Sequence, residues 1–124
     1  MSPQYNIIEH ELPGGFKVFA GKTDVDNDHL SIKLAKPNDF WFHVRGMPGS
    51  HVVLRVEQGK EPDREILKRA AAIAAYYSKA RNGGVVPVSC TRALYVTKPR
   101  GAKPGLVQIR KEFTLKVRPA LFEP

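Results

Sequence analysis

The chain has 124 residues, of which 42% are hydrophobic, and carries a formal net charge of +8. This length suits a single domain that can bury a core without disulfide support, so residues 1–124 are predicted to form one soluble domain. The lone cysteine excludes an internal disulfide and favours a reducing, cytoplasmic setting. The first residues lack the features of a signal peptide, and no apolar run reaches the roughly 20 residues of a membrane helix.

The charge is unevenly distributed along the chain. Residues 1–78 hold ten basic and ten acidic residues, whereas residues 79–124 hold ten basic residues and two acidic ones. The whole excess therefore lies in the last third. Such asymmetry is typical of a surface that binds a polyanion, with a merely solvated surface as the alternative.

The first half of the chain predicts strands. Alternating or aromatic apolar runs, separated by turns rich in Pro, Gly and Asn, occur at 16–20, 30–34, 40–44 and 51–56. One strong helix follows, with Pro62 in its first turn and Asp63 and Glu65 near the positive end of its dipole. Lys79 and Arg81 are expected in or near its last turn, and 82–84 ends it. Its apolar stripe consists of Ile66, Leu67, Ala70, Ala71, Ile73, Ala74 and Tyr77.

The last third returns to short strands at 85–88, 93–96, 106–110 and 113–118. Pro87 predicts that the first of these lies at a sheet edge. A basic loop rich in proline and glycine spans 98–105. Strands on both sides of one helix predict an α+β fold, a mainly antiparallel sheet with one principal helix packed on one face.

Three groups of residues suggest a calcium site, a catalytic triad or a metal site, but none of them fits the known pattern of such a site. Asp24, Asp26 and Asp28 have the spacing of a calcium loop, yet His29 and Ala35 stand where glycine and glutamate are needed, so a polar turn is favoured. Asp39, Ser50 and His51 do not form a triad, because neighbours in an extended chain point to opposite faces. His43 and His51 with Asp39 could ligate a metal, but the spacing matches no known motif, and Cys90 is solitary. No metal or cofactor is predicted.

Two segments favour anion binding instead. The turn at 47–51 combines proline, glycine, serine and histidine, so it could present backbone N–H groups to a phosphate, with Arg45 upstream. A tight hairpin with no further role is the alternative reading. The loop at 98–105 carries three cations and no acid, and Tyr95 nearby could stack on a base or belong to the sheet. Contacts of this kind give affinity for the RNA backbone or its shape more than for a base sequence.

The segment 38–52, with the order NDFWFHVRGMPGSHV, resembles the signature of the NFACT-R domain (DUF814). This is the RNA-binding domain of the NFACT family of ribosome quality-control factors, some of which are also described as fibronectin-binding proteins. The resemblance extends to 21–22, 27–30, 70–78 and 96–107, and covers about residues 14–118. It identifies the chain as a member of this family, in a stand-alone or excised copy.

The resemblance implies functions that composition does not show. Family members bind the large ribosomal subunit carrying obstructed peptidyl-tRNA, and they promote template-free addition of tails to the stalled chain. Tail addition is not expected here, because it depends on other domains of those proteins. The expected partner is RNA, either tRNA or rRNA, in ribosome-associated quality control. An enzyme acting on RNA or nucleotides through a metal or through Asp39, His43 and His51 is the alternative hypothesis.

The candidate residues form two sets. Those expected to contact RNA are Arg45, Ser50, His51, Arg92, Lys98, Arg100, Lys103, Arg110 and Lys111. Those that belong to the signature, with either a binding or a structural role, are Asp39, Trp41, His43, Pro48 and Gly49. Trp41 is expected in the core.

Overall fold

A computed structural model of the protein describes residues 4–122. In chain order the elements are β1 (Ile7–Leu12), β2 (Phe16–Gly21), α1 (Asp24–Asp28), a π-helical segment (His29–Leu34), β3 (Phe40–Val44), β4 (Val52–Leu54), α2 (Arg64–Tyr76), β5 (Val86–Arg92), a 3-10 turn (Ala93–Tyr95), β6 (Val96–Thr97), β7 (Gln108–Ile109) and β8 (Phe113–Val117).

Six of the strands form one antiparallel sheet in the order β1-β2-β4-β3-β5-β8, and β6 and β7 form a separate ribbon. Helix α2 packs on one face of the large sheet. This arrangement confirms the α+β prediction.

The core between α2 and the sheet is apolar. Asp63 caps the helix by accepting the Ile66 N–H at 2.9 Å. Alanines on the sheet-facing side allow a close approach, and Ala70, Ala71 and Ala74 are fully buried. The helix ends at Tyr76, so Lys79 and Arg81 lie beyond it and not in its last turn.

The opposite face of the sheet is only partly covered. A second, smaller core of Leu30, Trp41, Val53 and Val96 lies beneath the π-helical segment and the β6–β7 ribbon. The rest of this face, along β3, β5 and β8, carries polar and basic side chains. Arg45 there donates to the Thr114 hydroxyl at 2.9 Å.

The strand predicted at 30–34 is wrong, because the segment is helical. Thr23 and Asp26 form a reciprocal capping box that starts α1, and the chain continues directly into the π-helical segment. Leu30 and Leu34 then lie four residues apart and both contact the smaller core. The same residues also fit the two-residue period of a strand, and this alternation led to the wrong strand prediction.

The edge position predicted for Pro87 is also wrong, since β5 lies between β3 and β8. The Pro87 carbonyl accepts the Arg45 N–H at 3.1 Å, just past the end of β3. The missing proline donor therefore falls where the β3–β5 ladder stops. Strand β1, which no clear alternation marks, was not predicted, and the strand at 51–56 is reduced to β4.

Candidate nucleic-acid interface

The signature residue Asp39 holds the fold together from a fully buried position. Its carboxylate accepts the backbone N–H groups of Lys36 and Val56, at 2.8 and 2.9 Å. It also pairs with the Arg55 guanidinium at 2.9 Å. With its oxygens satisfied in this way, Asp39 is turned toward the loops around β3 and β4 and not toward a ligand.

Trp41 and His51 meet at a buried serine. The Trp41 indole N–H donates to the Ser31 hydroxyl at 2.9 Å, and the same hydroxyl bonds His51 Nδ1 at 2.8 Å. The His51 backbone N–H donates to Asn27 Oδ1 at 3.0 Å. Trp41 thus lies in the core as expected, and His51 is oriented by Ser31, not by its neighbour Ser50.

The imidazoles of His43 and His51 lie edge to face, with their ring centroids 5.4 Å apart. Burial lowers the pKa of His51 to about 4, and the neighbouring His43 acts in the same direction. Burial also lowers the pKa of His43, against an opposing hydrogen bond to the Gly49 backbone. Both rings are therefore neutral at pH 7.

The turn after β3 docks onto the chain that leaves α2. The Ser50 N–H donates to the Tyr77 carbonyl at 2.9 Å, and Gly49 forms a bridge with Ser78. A Cβ on Gly49 would lie 2.8 Å from the Ser78 Cβ, closer than side chains approach. Glycine is needed here for space, so that the turn can lie flat against the end of the helix.

The basic loop is fastened to the rest of the protein by Lys98. Its ammonium pairs with Asp28 at 3.0 Å and donates to the carbonyls of Lys103 and Leu106. The Gly105 N–H donates to the same Asp28 carboxylate at 2.9 Å. Lys98 is thus engaged within the fold, whereas Arg100 and Lys103 are exposed.

The signature and the basic loop meet at one surface depression, although more than 40 residues separate them in sequence. The depression has a volume of about 360 Å³. His43, Pro48, Gly49 and His51 line one side of it, and the loop residues 103–106 line the other. We call it the loop cleft.

A second depression lies on the other side of the same turn. It has a volume of about 620 Å³, and its cations are Lys22, Lys79 and Arg81. We call it the helix-end cleft. The two clefts share a boundary formed by Asp24, Asn27, Pro48 and Gly49.

The other predicted contact residues lie outside both clefts. Arg92 pairs with Glu61 and stacks on the Phe40 ring at 3.9 Å. Arg110 and Lys111 lie over the ring of Tyr95, at 5.7 and 5.1 Å from its centroid. Arg45 lies on the open sheet face.

Sequence reasoning missed the cations of the helix-end cleft. Lys22 belongs to the charge-balanced part of the chain, and Lys79 and Arg81 were expected in or near the last turn of the helix. A sequence signal for two of them was available. Lys22 belongs to the segment 21–22 and Lys79 directly follows the segment 70–78, and both segments resemble the family.

Three of the carboxylates considered for calcium or metal binding, Asp26, Asp28 and Asp39, are engaged in contacts within the fold. Asp24, Asp26 and Asp28 lie in α1, where the Asp26 carboxylate accepts the N–H and hydroxyl of the N-cap residue Thr23 and Asp28 pairs with Lys98, so the predicted polar turn is wrong. No three His, Cys, Asp or Glu side chains within residues 4–122 are grouped to hold a metal. Burial raises the pKa of Cys90 to about 12, so its thiol stays protonated at pH 7.

No helix in the described part of the chain has the length and hydrophobicity needed to cross a membrane.

Comparison with known proteins gives consistent relatives. The sequence pattern of the NFACT protein RNA binding domain matches residues 7–111. Rqc2 homolog RqcH of Bacillus subtilis (strain 168) is 40% identical over 118 residues, which is 94% of this chain and 20% of that protein. Rqc2 homolog RqcH of Streptococcus suis is 42% identical over 102 residues, covering 82% of this chain and 18% of that protein.

A solved structure supports the same relationship. The C-terminal part of the fibronectin/fibrinogen-binding protein from Streptococcus suis superposes with a TM-score of 0.85 at 38% identity. The match covers 97% of this chain and 47% of that one. This chain spans about a fifth of the length of the curated relatives that it matches.

Proposed function

Because the chain belongs to the NFACT protein RNA binding domain family, we propose that it is an RNA-binding module that acts in ribosome-associated quality control. The observation that carries the proposal is the loop cleft, where the family signature and the exposed basic loop form one surface. The names of the relatives, Rqc2 homologs, support the cellular process. The proposed ligand is tRNA or rRNA, and the large ribosomal subunit is the proposed larger partner.

Within this proposal, some residues contact RNA and others hold the contacting groups in place. Lys103, which lines the loop cleft, and Arg100, exposed on the same loop, neutralise phosphates there. Pro48 and Gly49 form the turn beside them, and Ser50 lies on the helix-end side of that turn. His43 and His51, both neutral, present ring N–H or N groups to sugar or base edges. Arg45, on the open sheet face, continues the basic surface. Asp39, Trp41 and Lys98 contribute by holding these groups in place.

We propose further that residues 1–124 act as one domain and bind RNA without turning it over. The proposed ribosomal setting would place the chain in the cytoplasm. Incubation of RNA with the protein and a divalent cation should leave the RNA intact. Cleavage or modification that His43→Ala or His51→Ala abolishes would contradict the proposal.

The binding test uses the exposed cations of the loop. Lys98 is left unchanged, because its substitution would loosen the loop as well as remove a charge. We expect Arg100→Ala/Lys103→Ala to weaken binding to labelled tRNA or to a ribosomal RNA fragment. Loss of two phosphate contacts should reduce the slope of log K against log salt by roughly 1.4–1.8. Fluorescence anisotropy between about 50 and 200 mM salt measures both quantities.

A matched control removes the same charge elsewhere. Arg64 and Lys68 are exposed on α2, on the far side of the sheet from the loop cleft. Arg64→Ala/Lys68→Ala should leave the affinity and the salt slope close to those of the unaltered protein. Equal losses in the two double variants would show that net charge alone drives binding, and would contradict the proposed site.

A further inference from the structure

We infer that the helix-end cleft is a second part of the RNA site, and that it takes an unpaired segment of the same RNA that the loop cleft binds. This inference rests on the proposed function and assigns a binding role to Lys22 and Lys79. The two clefts adjoin at the Pro48–Gly49 turn, because Asp24, Asn27 and the turn line both of them. A single strand that crosses the turn would therefore enter each cleft.

The charges of the helix-end cleft suit a phosphate backbone. Lys22, Lys79 and Arg81 line it, and among the described residues that line it Asp24 is the single acid. Lys22 and Lys79 are exposed, and within residues 4–122 neither ammonium forms a hydrogen bond or ion pair with the protein. Both ammonium groups are thus available to a ligand.

Arg81 is held in position by contrast. Its Nε donates to the Tyr76 carbonyl at 2.7 Å, and its guanidinium stacks on the Tyr76 ring at 3.9 Å. It supplies a fixed positive charge at the mouth of the cleft. Fixing the group before binding lowers the entropy cost of the contact.

The shape and the wall of the cleft favour an unpaired strand. A-form duplexes are recognised across a wide, shallow groove, whereas unpaired nucleotides enter clefts and place their bases against aromatic rings. Tyr77 lines this cleft, and its hydroxyl bonds His10 Nε2 at 2.7 Å, so the ring is held in one orientation. A volume of about 620 Å³ lies within the range of ligand-sized sites, roughly 300–1,000 Å³.

Lys22→Ala/Lys79→Ala tests the inference, since neither side chain stabilises the fold. Binding is measured by anisotropy with a labelled single-stranded RNA long enough to cross the turn, and with a duplex of the same sequence. We expect a loss of about 10-fold or more for the single strand, with a salt slope lower by roughly 1.4, and little change for the duplex. The Arg64→Ala/Lys68→Ala variant is the control for charge.

RNA length provides a second measurement. A short oligonucleotide that fills one cleft should lose less affinity in Lys22→Ala/Lys79→Ala than one that spans both. Charge reversal, Lys22→Glu/Lys79→Glu, should enlarge the loss for the long strand. Thermal unfolding of each variant confirms that the fold is intact.

The outcomes separate the two proposals. RNA binding that depends on Arg100 and Lys103 but is unaffected by Lys22→Ala/Lys79→Ala would overturn this inference and leave the proposed function standing. An equal loss for single strand and duplex would overturn the unpaired-strand assignment. Absence of RNA binding by the unaltered protein at low salt would overturn the proposed function, and this inference with it.

Discussion

The two faces of the large sheet differ in what they bury. The face under α2 is closed by apolar side chains, with Phe42, Val44 and Leu54 fully buried. The opposite face buries a tryptophan and a network of hydrogen-bonded polar groups, then opens onto the clefts. The signature segment contributes to both faces, since alternate residues of β3 point toward the helix and toward the polar side.

The difference also separates two kinds of stabilisation. Apolar packing under α2 depends little on pH or salt. The polar face depends on satisfied hydrogen bonds, on the Asp39–Arg55 ion pair and on the charge state of His51. Substitutions on that face should therefore disturb both the fold and its surface, and three predictions distinguish the two effects.

The largest effect is expected at Asp39. Asp39→Ala removes a buried carboxylate and leaves the Arg55 charge and two backbone N–H groups unpaired. The free energy of unfolding should fall by about 3–5 kcal/mol, measured by urea denaturation. Glu57→Ala, at an exposed position, is the control and should change it by less than about 0.5 kcal/mol. A loss of RNA affinity with stability unchanged would assign Asp39 to the ligand instead.

The next effect is a pH dependence due to His51. Its pKa is about 4 in the folded protein and 6.5 in the unfolded chain, so the unfolded state binds the proton more readily. The stabilisation is complete above pH 6.5 and is lost as the pH falls from 6.5 to 4. The loss should be about 3 kcal/mol.

His51→Asn isolates this contribution. Asparagine can place an amide near the position of Nδ1 and keep the Ser31 contact without a titrating group. Urea midpoints measured between pH 7 and pH 4 should fall less steeply in the variant. Parallel pH curves for the two proteins would show that His51 does not titrate as its burial predicts.

The smallest effect is expected at the loop. Lys98→Ala removes an ion pair and two hydrogen bonds from a partly exposed site, at a cost of about 1 kcal/mol. The amide of Gly105 should exchange its hydrogen faster, because its acceptor Asp28 is no longer fixed. Lys103→Ala, which removes the same charge without these bonds, should leave both quantities unchanged. Equal exchange in the two variants would contradict the fastening role of Lys98.

The sequence predicted those parts of the fold that local pattern determines. Strands β2 and β3 follow from alternation and aromatic content, and helix α2 follows from its apolar stripe and from acidic residues at its start. The segment 30–34 was wrong because its pattern fits both periods, and the deciding capping box at Thr23 lies upstream. Pro87 was wrong because the position of a strand in a sheet depends on partners distant in sequence.

The candidate site, like the fold, could be predicted only in part from the sequence. The signature and the basic loop were identified as candidates, but their meeting at one cleft is a property of the fold. The pairing of Lys98 with Asp28 joins residues 70 apart, so no local pattern reports it. Which residues of the signature are buried likewise depends on the tertiary structure.

The position of β8 has a consequence for self-association. As the outermost strand next to β5, it leaves one row of backbone N–H and C=O groups open to pairing with another sheet. Lys116 in this strand and Arg118 just after it are exposed, and two copies brought edge to edge would place like charges close together. The basic character of the last strand should therefore disfavour edge-to-edge aggregation as well as attract RNA.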